Sequence, residues 1–234
     1  MGQGIRLGRL FGIAIHLDWS LLVIFVLIAA SLGLGTFPTL HPQWSAVTVW
    51  VTALVAAVLF FASVLTHELS HALVGRLYGI RVPRITLFIF GGLAQMESEP
   101  GNWRGELWMA LAGPAASLVL GVVFITLGNL VMAPGTFDPD QPRESLERLS
   151  PLATLFMWLG PINIVLGLFN LVPGFPLDGG RVLRALTWGA SGNRRRATRW
   201  ASRGGQAFAW LLIGTGVAMI LGAQVPLLGR GLVN

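Results

Sequence analysis

The chain has 234 residues, of which 54% are hydrophobic and only 11% charged, with a mean hydropathy of +0.70 and a formal net charge of +6. That balance belongs to polytopic membrane proteins and excludes an ordinary soluble globular protein; no hydrophilic stretch is long enough for a separate soluble domain. The absence of cysteine excludes disulfides, thiolate metal ligands and a cysteine nucleophile together.

Crossing a bilayer core takes about 20 apolar residues. Spans are predicted near 18–35, 46–78, 104–132, 150–170 and 205–222. Arg6 and Arg9 precede the first, but no small-residue cleavage site follows it, so it reads as a retained span and not a signal peptide. His16 stands at its front edge and His41 in the loop after it. Neither has a motif around it, and both read as interfacial residues. The last turns of the second span carry His67-Glu68-Leu69-Ser70-His71.

The connection 79–103 contains an apolar hairpin over 84–97. Arg84 to Phe90 reads as a strand, Gly91-Gly92 as a tight turn and Leu93 to Met96 as the return strand. Such a hairpin is expected to dip into the membrane, shielded by protein because open sheet edges cannot face lipid. The plainer alternative is an interfacial cap that never meets a substrate. After the third span, the connection 133–149 is net acidic, with Asp138, Asp140, Glu144 and Glu147 against Arg143 and Arg148. The fourth span is stopped by Pro173 and Pro176. A following segment, 179–189, is amphipathic and expected at the interface. Trp19, Trp44, Trp103 and Trp200 fall near span ends, as an aromatic belt places them.

All sixteen basic residues are arginine. They cluster beside the spans, so positive-inside anchoring explains them better than nucleic-acid binding does. Their alternation predicts the N-terminus, 79–103 and 171–204 on the cytosolic side, which sets the histidine pair toward the cytosolic leaflet. Five spans leave the C-terminus outside.

Titratable groups are costly inside hydrocarbon, so an intramembrane His-Glu-His cluster points to function. Residues four apart share a helix face, which lets His67 and His71 grip one metal ion while Glu68, about 100° round, stays free to act as a base. A catalytic zinc site needs a third protein ligand. Of the ten acids, Glu68 and Asp178 are the two embedded in strongly apolar sequence. Asp178 follows the interrupted helix end Asn170-Leu-Val-Pro-Gly-Phe-Pro-Leu-Asp178-Gly-Gly-Arg181, unwound backbone of the kind tolerated where it lines a protein cavity. It is the better third ligand. It also suits the N-cap of 179–189, and the two roles are compatible.

Gly189-Ala-Ser191-Gly192 matches the serine motif of rhomboid proteases, but no histidine follows His71 and the match reads as a turn. Aspartyl intramembrane proteases need two acids in motifs that Glu68 and Asp178 do not provide.

HELSH on a membrane helix together with NLVPGFPLDGGR resembles the site-2 protease family of intramembrane zinc metalloproteases. Phe90-Gly-Gly-Leu-Ala-Gln-Met-Glu97 and Leu111-Ala-Gly-Pro-Ala-Ala-Ser117 resemble it too, and the likeness extends over residues 5 to about 222. It is closest to the compact bacterial and archaeal branch, which lacks a PDZ domain and often carries C-terminal CBS domains. No CBS domain is read in these residues, and a sixth span is usual in the branch. The resemblance implies one Zn2+ per chain held by His67, His71 and Asp178. It also implies Glu68 as catalytic base and Asn170 on the substrate carbonyl or the developing oxyanion.

The fold class expected is an all-α polytopic membrane protein with a small membrane-associated β-hairpin and five to six transmembrane segments around an intramembrane zinc site. Residues 1–234 then form a single intramembrane metalloprotease domain. The function implied is cleavage of the transmembrane segments of client proteins, in regulated intramembrane proteolysis at a prokaryotic plasma membrane. The partners are a membrane-protein client and the lipid bilayer, with no nucleic acid. The hairpin, through Phe90, Gly91 and Gly92, is the expected seat for an unwound client strand. The rival reading is a non-proteolytic metal-binding membrane protein, a transporter or an inactive scaffold. A transporter would be expected to show internal repeats, and none is seen. A scaffold has no need of Glu68 between the two histidines.

Overall fold

The computed structural model describes residues 4–132 and 140–222. Asp138 of the acidic connection lies outside them. Two strands open the chain, β1 (Ile5–Leu10) and β2 (Ile13–Leu17). Helix α1 (Ser20–Ala30) passes through a π-helical stretch, Ser31–Thr36, into the short α2 (Phe37–Leu40). The long α3 (Ala46–Leu77) follows, then β3 (Arg84–Phe88), β4 (Gly91–Gln95) and α4 (Trp103–Val131). The remainder is α5 (Pro142–Glu147), α6 (Pro151–Asn170), α7 (Asp178–Ser191) and α8 (Arg194–Ile220).

Four helical segments among the described residues are long and apolar enough to cross a membrane: Ser20–Leu40, Ala46–Leu77, Trp103–Val131 and Pro151–Asn170. The expected fifth span, 205–222, falls in the C-terminal part of α8. That helix begins at Arg194 in an arginine-rich stretch and is not among the four. The long helices start where side chains satisfy their free N–H groups. Ser45 Oγ accepts from Thr48 N–H at 3.1 Å and Asn102 Oδ1 from Gly105 N–H at 2.8 Å. Each such cap is worth about 1 kcal/mol.

Lipid offers helices no hydrophobic drive to associate, so close packing has to do it. Helices α4 and α6 meet along glycines. A side chain at Gly121 or Gly160 would overlap the facing helix, with Ile164 beside the first and Ile125 beside the second. Gly167 is less tight, with the carbonyl of Pro114 and Leu118 each 3.0 Å from where a Cβ would sit.

The expected hairpin is half of a larger structure. The strands form one sheet in the order β1-β2-β3-β4. β1 and β2 are antiparallel across a turn at Phe11-Gly12, where φ is 51° and 77°. β2 and β3 are parallel, pairing Ile15 with Ile85 and Leu17 with Leu87. A parallel pair needs a long crossover, and here α1 to α3 supply it. The turn of the second hairpin is also displaced from expectation. Phe88 pairs with Gly91, so Ile89 and Phe90 form the turn and Gly91-Gly92 open the return strand. β4 ends the sheet, and its outer edge is unpaired among the described residues. The buried face of the sheet, with Ile13, Ile15, Ile85 and Leu87, packs on Val64, Leu69 and Ala72 of α3 and on Met109 of α4. This places the sheet directly over the HELSH turns.

His41, just past the end of the first spanning segment, is enclosed by protein. It is 1% exposed, its ring stacks on Trp44 at 3.8 Å, its Nδ1 donates to the Glu147 carbonyl at 3.1 Å, and Thr154 Oγ1 lies 2.9 Å from its Nε2. It ties the end of α2 to α5 and α6.

Candidate metal centre

His67 and His71 project from one face of α3, both buried at 4% and 6% exposure. Their Nε2 atoms stand 3.1 Å apart. Asp178, in the first turn of α7, brings one carboxylate oxygen, Oδ2, to 3.1 Å from His67 Nε2 and 3.0 Å from His71 Nε2. Three donor atoms at about 2.0–2.1 Å from a tetrahedral zinc stand about 3.3 Å from one another. The observed triangle matches that spacing to within a few tenths of an ångström.

The rest of each ring supports the same orientation. His71 Nδ1 donates to the Met109 carbonyl at 2.6 Å, and His67 Nδ1 lies 2.9 Å from Ser117 Oγ. With each Nδ1 carrying the proton, both Nε2 lone pairs are free for a cation. Outer partners of this kind fix the tautomer of a metal-binding histidine. Two imidazole nitrogens and one carboxylate oxygen form a donor set that suits zinc. Among the described residues this is the group of three whose ligand atoms could hold a metal ion.

Two further helices make the convergence possible. Gly113 of α4 faces both Nε2 atoms, and a methyl group there would intrude on them. On the other side, α6 ends at Asn170 and the chain turns through Pro173 and Pro176, with a cis peptide between Phe175 and Pro176. The loop folds tightly on the start of α7. Gly179 abuts the carbonyls of Leu171 and Val172, and Gly180 abuts the backbone of Gly174 and Phe175. Asp178 is not the N-cap that the sequence allowed. Leu177 holds that position, no side chain caps it, and the Asp178 carboxylate is turned to the histidines.

Glu68 lies against β4, so close to Gly92 that any side chain at Gly92 would overlap its Cγ and carboxyl. Asn170 also borders the site, but its Nδ2 donates to the Leu166 carbonyl of its own helix at 2.9 Å. That leaves one Nδ2 hydrogen for another acceptor. His67, Glu68, His71, Asn170 and Asp178 line one cleft of about 670 Å3. The strand residues Gly91, Gly92, Leu93 and Ala94 form one wall of it, and Phe90, 87% exposed at the hairpin tip, stands at its edge. His16, on β2, is not in the cleft.

Sequence reasoning missed Glu106 and Arg184. Glu106 is fully buried, so Glu68 and Asp178 are not the only acids in apolar surroundings. Its Oε1 accepts from Arg184 Nε at 2.5 Å, joining α4 to α7, and the Arg184 guanidinium also lies over the Phe175 ring. The available signal was spacing: Glu106, Met109, Ala110 and Gly113 lie along one buried face of α4.

The chain has relatives among known proteins. The profile of peptidase family M50 matches residues 55–212. The chain is 41% identical to sll0528 of Synechocystis sp. over 94% of its own length and 54% of that protein's. It is 37% identical to Rip3 of Mycobacterium tuberculosis over 93% and 52%, and 33% identical to MJ0392 of Methanocaldococcus jannaschii over 80% and 46%. All three carry zinc metalloprotease in their names. Among solved structures, the site-2 protease from Methanocaldococcus jannaschii superposes with a TM-score of 0.53 at 27% identity, covering 94% of this chain and 84% of that one. The chain belongs to peptidase family M50, the site-2 protease family. It spans about half the length of the curated relatives it matches.

Proposed function

We propose that this chain is a zinc metalloendopeptidase that hydrolyses a peptide bond within or beside the transmembrane helix of a client protein. The observation that carries the reading is the meeting of His67 Nε2, His71 Nε2 and Asp178 Oδ2 beside Glu68, in a cleft walled by apolar helices of spanning length. His67, His71 and Asp178 would hold one Zn2+ per chain. Zinc in such a site supplies Lewis acidity toward water and toward the scissile carbonyl.

The remaining chemistry falls to the chain. Glu68 takes a proton from the attacking water and passes it to the leaving amine. Gly92 backs Glu68 with bare backbone and holds it at the cleft wall. The second Nδ2 hydrogen of Asn170 faces the developing oxyanion, a contribution of about 3 kcal/mol if it acts as other side-chain donors do. A helical client hides its carbonyls in its own hydrogen bonds, so it unwinds locally before cleavage. The unpaired edge of β4 lines the cleft and offers that unwound stretch a strand partner, over Gly91 and Gly92 with Phe90 at the mouth. On this reading the enzyme acts in regulated intramembrane proteolysis at a prokaryotic plasma membrane, with the cleft toward the cytosolic leaflet, an orientation that the arginine-flanked segments support.

The test is Glu68→Gln, reconstituted in liposomes with a client bearing one transmembrane helix. Zinc should stay near one per chain while cleavage disappears. Cleavage retained by the variant would remove Glu68 from its role. Metal flux in the wild type without proteolysis would replace the reading with a transporter.

A further inference from the structure

Arg181 and Arg184 lie three residues apart on α7, and the structure uses them differently. Arg184 is consumed by its pairing with Glu106. Arg181 lines the catalytic cleft and, among the described residues, is the one arginine that does so. Among the described residues no carboxylate lies within ion-pairing distance of it. Its one side-chain hydrogen bond goes to the Met96 sulfur, at 3.7 Å, and thioether sulfur is a weak acceptor. A guanidinium offers five donors in a planar fork suited to a carboxylate. Asp178, Glu106 and Glu68 act on its charge through space without forming an ion pair with it, so most of its donors stay open to an incoming anion.

Its position relative to Glu68 narrows what that anion is. Glu68 packs under Gly92, near the start of β4, whereas Arg181 reaches Met96, just past the strand's end at Gln95. Four residues of strand, at about 3.3 Å each, span roughly 13 Å. A client strand laid along β4 with its scissile bond at Glu68 would therefore place a side chain about four residues away against Arg181.

We infer that Arg181 forms an anion subsite of the cleft and selects clients with an Asp or Glu side chain about four residues from the cleaved bond. The inference rests on the proteolytic reading and on strand addition to β4. It gives the cleft a polar specificity element in a wall that is otherwise apolar apart from the catalytic groups.

The experiment moves a single Glu, with Gln as its isostere, one position at a time through six residues on either side of the scissile bond. The client is a transmembrane helix reconstituted with the full chain in liposomes. Cleavage is compared for the wild type, Arg181→Gln and Arg181→Glu. The same peptides are bound by anisotropy to Glu68→Gln and to Glu68→Gln/Arg181→Gln. One position should favour Glu over Gln by about tenfold in both kcat/KM and affinity, as a charge-assisted hydrogen bond would. Arg181→Gln should erase that ratio, and Arg181→Glu should transfer the preference to Arg at the same position. Wild-type cleavage with no position at which the Glu-to-Gln ratio depends on residue 181 would overturn the subsite and leave the protease reading standing. Equal losses for every client in Arg181→Gln would likewise reduce Arg181 to balancing the charge of Asp178 and Glu68. No cleavage of any client by the zinc-loaded wild type would overturn the proteolytic reading and the subsite with it.

Discussion

The Arg184 guanidinium and the Glu106 carboxylate form a buried ion pair that joins α7 to α4, with the Glu106 side chain fully enclosed. Asp178 begins the same helix that Arg184 anchors, and Met109 and Gly113, which face the histidines, lie on the same face of α4 as Glu106. The pair thus connects the helix that carries Asp178 to the wall behind His67 and His71.

Removing one member of a buried pair strands the other charge. Glu106→Ala should destabilise the protein by about 3–5 kcal/mol. Zinc affinity should fall with it. The double variant Glu106→Leu/Arg184→Met, which strands neither charge, should recover most of the loss. Thermal unfolding in detergent, with zinc content measured alongside, checks both. A double variant no better than the single would show that the pair has no special coupling.

Gly92 tests how tightly Glu68 must be held. In Gly92→Ala the new methyl group would overlap Glu68 and push its carboxyl away from the cleft wall. Displacement of a reacting group by about 1 Å can cost about 10²-fold. Cleavage should fall by about that factor with zinc content unchanged, because the contact at Gly92 is with Glu68 and not with His67, His71 or Asp178. A normal rate would show that the contact carries no catalytic positioning.

His41 gives a pH dependence with a definite sign. Burial lowers its pKa from the ordinary 6.5, so the native state favours the neutral ring more than the unfolded chain does. The stability it contributes is complete above that unfolded value and declines as pH falls below it toward the lowered native value. Between about pH 7.5 and pH 5.5 the wild type should lose more thermal stability than His41→Asn, whose amide keeps one donor. Subtracting the two curves cancels the other titrating groups. Parallel curves would remove His41 as an acid-sensitive tie between α2 and α6.

Much of the site was legible because its chemistry is local in sequence. His67 and His71 are one helical turn apart, and the two prolines and paired glycines around Asp178 announce a helix stop with close backbone contact. Four spans could be read from apolar length alone. The N-terminal strands could not. Residues 5–17 alternate weakly, with exposed apolar side chains on β1 and arginines among them, and they become a sheet only through the parallel pairing of β2 with β3. The hairpin turn was set two residues late because Gly-Gly is the usual turn signal. Here Gly91 and Gly92 are spent on strand contact, and Gly92 makes room for Glu68. Glu106 and Arg184 were hidden because each looks like a solvated charge beside a helix end, and only the tertiary packing shows that they share one burial site.

The central claim is that Asp178 completes a zinc site with His67 and His71. Zinc content per chain, measured by mass spectrometry on purified wild type, Asp178→Ala and Glu68→Gln after exposure to a competing chelator, tests it most directly. The account expects wild type and Glu68→Gln to keep close to one zinc per chain and Asp178→Ala to lose it. Stoichiometric zinc in a folded Asp178→Ala variant would contradict it.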